Sequence, residues 1–248
     1  MRLKDKIAIV TGAASGFGEG IARRFAAEGA KVILADINDE NGNRVAQDIG
    51  GDAVYAHADV TSASDWQALV ETAKDRFGRL DIVVNNAGYT HLNQPMLEVD
   101  EAEFDKVYAI NVKSLFLSAH AALPVFRAQG GGQFLNIAST AGIRPRPGLV
   151  WYNSSKSAAI GVTRSMAIEL AGEQIRVNAI NPVAGETPLL KRFMGEDTPE
   201  KRAMFKASIP MGRLSTANDI AGAAVYLCSD DASLVTGVCM EVDGGRCI

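Results

Sequence analysis

Hydrophobic positions alternate along the chain between short, nearly continuous apolar runs and longer stretches with helical spacing. The short runs predict strands at 6–10, 31–36, 53–58, 80–85, 133–138, 175–180 and 237–242. The longer stretches predict helices at 18–29, 39–49, 63–77, 101–128 and 150–171. Runs that are apolar on both faces are typical of parallel strands covered by helices. We therefore predict an α/β fold with a doubly wound parallel sheet of about seven strands and helices on both faces.

One segment has neither a strand period nor the period of a core helix. Residues 183–210 are charged and are interrupted by Pro188, Gly195 and Pro199. We interpret the segment as a mobile substrate lid that bears a short helix, because a linker between two domains would divide the alternating pattern. The sequence thus predicts a single Rossmann-type domain over residues 1–248.

Composition narrows the function classes. The chain has 248 residues, 47% of them hydrophobic, which suffices for one large core. A net charge of −4 with scattered basic residues gives no reason to expect nucleic acid or an anionic membrane as a partner. Apolar runs such as 82–84 are too short to cross a bilayer, and the N-terminus lacks the features of a signal peptide.

Cysteine usage indicates a reducing compartment. Cys228, Cys239 and Cys247 all lie near the C-terminus, their number is odd, and no pair has metal-site spacing. We interpret them as reduced structural thiols, and we expect a cytoplasmic protein without a bound metal.

A glycine-rich turn follows the first predicted strand. TGAASGFG at 11–18 places Gly12, Gly16 and Gly18 where the chain must turn tightly and open a helix. In that context such a turn lets a pyrophosphate approach the main chain and the N–H groups of the helix N-terminus. A purely structural tight turn is the alternative.

An acidic residue ends the second predicted strand. The Asp36 carboxylate could accept hydrogen bonds from both hydroxyls of an adenosine ribose and would repel a 2′-phosphate. Because the glycine turn holds no Arg or Lys, the pattern favours NAD over NADP. Asp59 and Val60 follow the third strand and could contact the adenine. Asp36 could also act only as a strand-end cap.

Tyr152 and Lys156 stand four residues apart in the predicted helix 150–171. Positions i and i+4 share one face of a helix, so both side chains should point toward the carboxyl ends of the strands, where such sheets bind ligands. A tyrosine with its ordinary pKa of about 10 is almost wholly neutral near pH 7. A nearby ammonium and the positive ring of an oxidised nicotinamide both favour the phenolate, so we predict a lowered pKa for Tyr152. Two ordinary residues on an amphipathic helix would show the same spacing.

Together these motifs resemble the short-chain dehydrogenase/reductase family over the whole chain. The motifs that carry the resemblance are TGxxxGxG at 11–18, NNAG at 85–88, Asn111, Ser139, Tyr152 with Lys156, and VDGGR at 242–246. Within the family, segments 89–95, 143–152 and 181–188 are most similar to bacterial catabolic alcohol dehydrogenases.

The resemblance implies catalytic roles for four residues. Tyr152 is expected to be the general base in oxidation and the general acid in reduction. Lys156 is expected to lower the pKa of Tyr152 and to bind the nicotinamide ribose. Ser139 would hold the substrate oxygen, and Asn111 would keep a water that links Lys156 to solvent.

The resemblance also implies a set of contacts to the cofactor, which is expected to be NAD. The residues are Gly12, Ser15, Gly16, Phe17, Gly18, Asp36, Asp59, Val60, Asn85, Ala87, Gly88, Tyr152, Lys156, Pro182, Val183 and Thr187. The family usually has glycine where Val183 stands, which puts the shape of the main chain there in doubt.

Four side chains near the expected pocket carry information about the substrate: His91, Arg144, Arg146 and Trp151. An arginine can bind a carboxylate or sulfonate through paired N–H donors, so our hypothesis is a small alcohol with an aromatic or anionic group. The alternative is that the arginines face solvent or a neighbouring subunit and that Trp151 packs in an interface. His91 is more simply a pocket wall than a catalyst.

Three rival functions remain open. A 3-oxoacyl-[acyl-carrier-protein] reductase shares these motifs, but such reductases usually use NADPH, against which Asp36 counts. A sugar dehydrogenase acting on glucose is a second rival, and a nucleotide-sensing protein without turnover is a third.

The resemblance further implies a homotetramer built from helices 101–128 and 150–171 and the last strand. The broad apolar surface of both helices is consistent with a partner.

Overall fold

Seven parallel strands form one sheet in the computed structural model, which describes residues 1–248. The strands are β1 (Ile7–Thr11), β2 (Lys31–Asp36), β3 (Ala53–His57), β4 (Ile82–Asn85), β5 (Gly132–Ile137), β6 (Ile175–Pro182) and β7 (Cys239–Val242). Their order across the sheet is β3-β2-β1-β4-β5-β6-β7. The predicted doubly wound α/β fold is confirmed.

Nine α-helices accompany the strands. They are α1 (Gly16–Ala27), α2 (Asp39–Ile49), α3 (Ala63–Phe77), α4 (Glu101–Tyr108), α5 (Ser114–Gln129), α6 (Val150–Leu170), α7 (Leu190–Met194), α8 (Pro199–Ala207) and α9 (Ala217–Cys228). The segment 183–210 holds two short helices, α7 and α8, where we predicted one. Helix α9 lies in a stretch for which the pattern predicted no element, although Thr216 and Asp219 form a capping box at its start.

The predicted helix 101–128 is one helical stretch with an irregular centre. A π-helical turn, Ala109–Lys113, separates α4 from α5. By length and composition, the stretch Glu101–Gln129 could cross a membrane, so our expectation that every apolar run is too short does not hold here. In the structure α5 packs on α3, β4 and β5. A core helix of a soluble protein meets the same criterion, so one such helix is weak evidence for a span.

Both faces of the sheet are buried, as the apolar strands predicted. Along β1, Ala8 and Val10 belong to the core that α1 and α9 cover. Ile7 and Ile9 belong to the core on the opposite face, which α3, α5 and α6 cover. Successive side chains of a strand point to opposite faces, which explains why the first four residues of this strand, Ile7–Val10, are all apolar.

The strand order changes direction between β1 and β4: β1 to β3 are added toward one edge of the sheet, and β4 to β7 toward the other. From β3 at one edge it returns to place β4 beside β1. The Thr11 side chain fixes this junction: its hydroxyl donates to the Val84 carbonyl at 3.2 Å and accepts the N–H groups of Asn86 and Ala87, each at 3.0 Å. In open α/β sheets a ligand crevice forms at the carboxyl ends of the strands at such a switch point.

Candidate active site

A cavity of about 440 Å³ lies at the carboxyl ends of the strands. It brings together most of the residues that the sequence singled out. Those that line it are Gly12, Ser15, Gly16, Phe17, Asp36, Asp59, Val60, Ala87, Gly88, Ser139, Arg146, Tyr152, Lys156, Pro182, Val183 and Thr187. Gly18, Asn85, His91, Asn111, Arg144 and Trp151 are not part of its wall.

The glycine turn connects β1 to α1 with little room for side chains. Gly12 has φ +64°, and a Cβ there would lie 2.9 Å from the side-chain nitrogen of Asn86. Gly16 also has a positive φ, +57°. Gly18 is buried, and a Cβ there would collide with the Gly12 carbonyl. Gly18 therefore serves helix–strand packing, whereas Gly12 and Gly16 border the cavity.

The N-terminus of α1 is suited to an anion. Its N-cap residue, Ser15, makes no side-chain hydrogen bond to the first turn, whereas Asn38, Ser62 and Thr198 cap their helices in that way. The first-turn N–H groups of α1 thus remain uncapped beside the cavity, and the helix dipole adds partial positive charge. The residues present fit the pyrophosphate of a dinucleotide.

The Asp36 carboxylate borders the cavity next to the glycine turn. One of its oxygens accepts the Ala14 N–H at 3.0 Å, and the other accepts the Asn38 N–H at 2.9 Å. These contacts fix the carboxylate in place, and each oxygen still has a lone pair for a further donor. The apolar side chains of Ile37 and Val60 line the same part of the cavity, which fits an adenine ring.

The NNAG motif places a different asparagine in the wall from the one we predicted. Asn85 is buried and donates to the Asn136 side chain at 2.9 Å, because the last residue of β4 faces β5. Asn86 lines the cavity and donates to the main-chain oxygens of Thr11 and Gly12 at 2.8 and 3.2 Å. Asn85 therefore supports the sheet, and Asn86 holds the glycine turn.

Pro182, Val183 and Thr187 form the wall that follows β6. Thr187 lies 3.3 Å from the Cβ position of Gly16, so it borders the glycine turn. Val183 is buried and packs with Leu190 in a small core under segment 183–210. No positive φ occurs at Val183, so its main chain accommodates valine without strain.

Tyr152 is buried in the cavity wall. Burial raises the pKa of Tyr152 to about 12, while the neighbouring Ser139 hydroxyl acts in the opposite direction. Ser139 has an extended main chain at the end of β5, and its hydroxyl accepts the Ala141 N–H at 3.0 Å. The ring of Phe193 meets that of Tyr152 edge to face at 5.0 Å. The Tyr152 phenol and the Ser139 hydroxyl thus lie side by side in the cavity wall.

Lys156 shares the cavity with Tyr152, as the spacing predicted. Its ammonium donates to the Ile137 carbonyl at 2.8 Å and lies 5.8 Å from the centre of the Tyr152 ring. Burial lowers the pKa of Lys156 to about 8. The lowered pKa that we predicted for Tyr152 is therefore not seen in the protein alone, where burial is the largest influence on it.

Asn111 lies behind the cavity wall, in the π-helical turn. Its side-chain oxygen accepts the Tyr89 N–H at 2.9 Å, and its nitrogen donates to the Tyr89 carbonyl at 2.8 Å and to the Ser155 hydroxyl at 2.9 Å. A Cβ on Gly88 would lie 3.6 Å from both the Asn111 oxygen and the Lys156 nitrogen. Asn111 and Lys156 thus face the same small space, and π-helical turns are frequent at such sites.

Of the four predicted substrate residues, only Arg146 borders the cavity. Arg144 is exposed and donates to the main-chain oxygen of Arg246. His91 is buried outside the cavity, with Nδ1 bonded to the Leu92 carbonyl at 2.7 Å. Trp151 donates to the Met96 carbonyl at 3.3 Å, which turns its ring toward α4. Side chains two residues apart in an irregular loop point in directions that the sequence does not specify.

Aromatic and cationic residues that we did not predict complete the wall. Phe193 from α7 and Phe205 from α8 line the cavity, as do Tyr89 and Lys106. The available signal was the presence of phenylalanines in the otherwise charged segment 183–210. Arg146 lies over the Phe205 ring, 4.4 Å from its centre. The cavity thus combines a nucleotide-like groove with an aromatic wall that carries a guanidinium.

Comparison with known proteins decides the family. A family model described as enoyl-(acyl carrier protein) reductase matches residues 12–246, nearly the whole chain. A 4-formylbenzenesulfonate dehydrogenase from Comamonas testosteroni is 51% identical over 99% of this chain and 99% of its own. The chain belongs to the short-chain dehydrogenase/reductase family. Its predicted resemblance to that family is confirmed, and its relatives make it an oxidoreductase.

Other members of the short-chain dehydrogenase/reductase family match equally far along the chain. A 2,5-dichloro-2,5-cyclohexadiene-1,4-diol dehydrogenase from Sphingobium indicum is 37% identical over 98% of this chain and 97% of its own. A solved structure, 3-ketoacyl-(acyl-carrier-protein) reductase from Brucella melitensis complexed with NADH, is 47% identical. It superposes with a TM-score of 0.94 and covers 99% of this chain and 100% of its own.

Proposed function

We propose that this protein is an NAD-dependent dehydrogenase that interconverts an alcohol and a carbonyl group on a small aromatic substrate bearing an anion. One observation carries the substrate class. Arg146, whose only side-chain hydrogen bond goes to the Ser208 hydroxyl, lines the same cavity as Tyr152 and Ser139. Phe193 and Phe205 line that cavity too, and aromatic rings pack favourably against each other.

The chemistry follows from the two hydroxyls at the end of β5 and the start of α6. In oxidation, Ser139 donates a hydrogen bond to the alcohol oxygen, and Tyr152 removes its proton. A bound nicotinamide supplies the hydride acceptor and, when oxidised, a positive charge that favours the Tyr152 phenolate. Lys156 contributes the second positive charge. In reduction, Tyr152 returns the proton to the carbonyl oxygen.

The proton leaves Tyr152 by way of Lys156. The ammonium and the Asn111 side chain border the same small space beside Gly88, and we propose that a water held there passes the proton toward solvent. The two contacts between Asn111 and the main chain of Tyr89 fix the amide for this role. The remaining cofactor contacts are those predicted above, except that Asn86 takes the place of Asn85 and that Gly18 packs α1 against β1 without touching the cavity.

Asp36 supports NAD as the cofactor. Its carboxylate is fixed by two main-chain N–H groups at the cavity wall, and no Arg or Lys stands next to it among the lining residues Ile37, Asp59 and Val60. A 2′-phosphate there would meet a negative charge without a compensating cation. We expect NAD to be preferred over NADP for this reason.

The similarity to 4-formylbenzenesulfonate dehydrogenase supports an aromatic anion as the substrate class. The compound in that name has a ring, a sulfonate and an aldehyde. In water an aldehyde is in equilibrium with its hydrate, which has the same H–C–O–H unit as an alcohol. Tyr152 and Ser139 could act on either, so both oxidation levels belong in the test.

A 3-oxoacyl-[acyl-carrier-protein] reductase is the second candidate. The Brucella melitensis reductase of that name is 47% identical, and its solved complex contains NADH. We had expected Asp36 to count against an acyl reductase. Because that reductase was solved with NADH, Asp36 does not by itself separate the two functions. The half-buried Arg146 beside Phe205 favours an anionic aromatic ring over a long acyl chain.

The test is a substrate panel assayed for formation of reduced nicotinamide. It compares NAD with NADP on 4-(hydroxymethyl)benzenesulfonate, 4-formylbenzenesulfonate, benzyl alcohol, glucose and a 3-hydroxyacyl thioester. We expect the highest kcat/KM with NAD and one of the two sulfonates. Turnover confined to the thioester would favour the acyl reductase, and turnover confined to glucose would favour a sugar dehydrogenase. Binding of NAD without turnover of any compound would indicate a sensor.

The cellular setting belongs to the same proposal. Because all three cysteines are free thiols, with Cys228 buried in the core, we propose that the protein works in the reducing environment of the cytoplasm.

A further inference from the structure

Three arginines lie near one another, and one of them, Arg146, is part of the cavity wall. Arg144 and Arg146 lie in the loop before α6, and Arg246 lies in the C-terminal segment that follows β7. The Arg144 guanidinium donates to the main-chain oxygen of Arg246, so the loop and the C-terminal segment are joined. None of the three forms an ion pair with a carboxylate. No paired carboxylate therefore neutralises any of these three guanidinium groups.

Arg246 is the most unusual of the three, because its side chain is buried. The residue is only 8% exposed, and its Nε and Nη1 atoms are buried without a hydrogen-bond partner. The nearby Asp243 carboxylate accepts the N–H groups of Gly245 and Cys247 at 2.8 and 2.7 Å and forms no hydrogen bond with the Arg246 guanidinium. Burial of a guanidinium without an acceptor is unfavourable, so these donors point to a missing anion.

Arg146 connects this charge to the cavity. Its guanidinium donates to the Ser208 hydroxyl at 3.1 Å and lies over the Phe205 ring. Burial, followed by the repulsion of Arg246 and then of Arg144, lowers the pKa of Arg146 to about 10. An anion bound to Arg146 would relieve that repulsion and would feel the charge of Arg246 as well.

We propose that Arg246 is a specificity-determining residue, which acts with Arg146 to bind a sulfonate or carboxylate on the aromatic ring of the substrate. Arg146 contacts the anion at the cavity wall, and Arg246, which stands behind that wall, adds a second positive charge from the C-terminal segment. The inference rests on the proposed function, because it assigns the binding group for the substrate of that reaction. It places the C-terminal segment in substrate recognition.

The test measures binding apart from turnover. Calorimetry on the NAD-loaded protein compares benzenesulfonate with its neutral counterpart benzenesulfonamide, for wild type, Arg246→Met, Arg246→Lys and Arg76→Met. Arg76 is exposed on α3, away from the cavity, and controls for loss of one positive charge. We expect Arg246→Met to weaken benzenesulfonate roughly tenfold, the effect of losing one nearby positive charge, with little change for the sulfonamide. Arg246→Lys should lose less, and Arg76→Met should lose nothing.

The outcomes separate this inference from the proposed reaction. Equal weakening of both ligands, or of neither, in Arg246→Met would overturn the role of Arg246, whatever the protein turns over. A loss of oligomer mass without a change in sulfonate preference would mean that Arg246 serves a contact between copies, and would also overturn it. Sulfonate binding that depends on Arg246 in a protein that oxidises no alcohol would uphold the inference and reject the reaction. If Arg246→Met does not fold, Arg246→Gln, which also removes the positive charge, provides the same comparison.

Discussion

At the residue scale, the site depends on how Tyr152 becomes a base although burial opposes it. Its pKa of about 12 lies roughly four units above that of a useful base near pH 8, which corresponds to about 5 kcal/mol. A unit charge at about 4 Å contributes roughly 4 kcal/mol at the effective dielectric of a partly buried site. The Lys156 ammonium is held on the Ile137 carbonyl, 5.8 Å from the centre of the Tyr152 ring, so we infer, as the sequence led us to expect, that the positive charge of the oxidised cofactor acts together with it.

The burial of Lys156 should also make the stability of the protein depend on pH. Burial lowers its pKa to about 8 in the folded protein from the ordinary value of 10.5. Between these pH values the unfolded chain binds more protons, so the free energy of unfolding contributed by this group increases as pH rises from 8 to 10.5. We expect denaturant melts of Lys156→Met, compared with wild type, to lack this increase, which amounts to roughly 3 kcal/mol. Parallel pH profiles for the two proteins would show that Lys156 is not desolvated.

At the element scale, the short helix α7 holds an aromatic side chain against the catalytic tyrosine. Arg192 on α7 donates to the Thr90 carbonyl and to the Tyr89 hydroxyl, both at 2.7 Å, and lies 3.4 Å from Glu103. These contacts join α7 to the loop after β4. The next residue, Phe193, meets the Tyr152 ring. Arg192 is therefore a positioning residue that fastens segment 183–210, the proposed lid, over the cavity.

Removal of this fastening should affect substrate binding more than chemistry. We expect Arg192→Ala to raise KM for the anionic alcohol roughly tenfold, the consequence of losing hydrogen bonds from a charged group, with a smaller change in kcat. Segment 183–210 should also become more sensitive to limited proteolysis. The control is Arg202→Ala, because Arg202 pairs only with Asp197 inside the same segment. An equal effect of both variants would refute the role of Arg192.

At the element scale, the sequence predicted most of the secondary structure. Strands and helices with a clear period were predicted well, and the bounds of β2, α2 and α3 agree with the structure. The π-helical turn at Asn111 was not foreseen, because one extra residue in a turn leaves the apolar pattern almost unchanged. We did not predict that Phe193 on α7 and Phe205 on α8 line the cavity, because helices this short show no repeating pattern of apolar residues. The sequence could not show that Arg146 faces the cavity and Arg144 does not, because this depends on the path of the loop.

At the scale of the whole molecule, the family implies a homotetramer, and the surface has features that fit one. Phe116 on α5 is 56% exposed and packs against His120, and Ile168 on α6 is 83% exposed. Large apolar side chains at such exposure on the two long helices are typical of an interface. We propose that these helices join subunits.

Light scattering tests this assembly. We expect a mass of about four times the 26.3 kDa of one chain at micromolar concentration. The double variant Phe116→Glu/Ile168→Glu should have a smaller mass, because a charge in an apolar contact is unfavourable. A wild-type mass near that of one chain, or a double variant of unchanged mass, would contradict the proposal.

The most direct test of the account is the rate of reduced nicotinamide formation in Tyr152→Phe, with saturating NAD and 4-(hydroxymethyl)benzenesulfonate. Tyr108→Phe is the matched control, because Tyr108 bonds the Ser154 hydroxyl at 2.9 Å and is not part of the cavity wall. We expect Tyr152→Phe to lose at least about a hundredfold in rate, the usual contribution of a general base, while NAD binding by fluorescence stays within about threefold. A Tyr152→Phe variant that turns over as fast as wild type would contradict the assignment of Tyr152 as the group that transfers the proton.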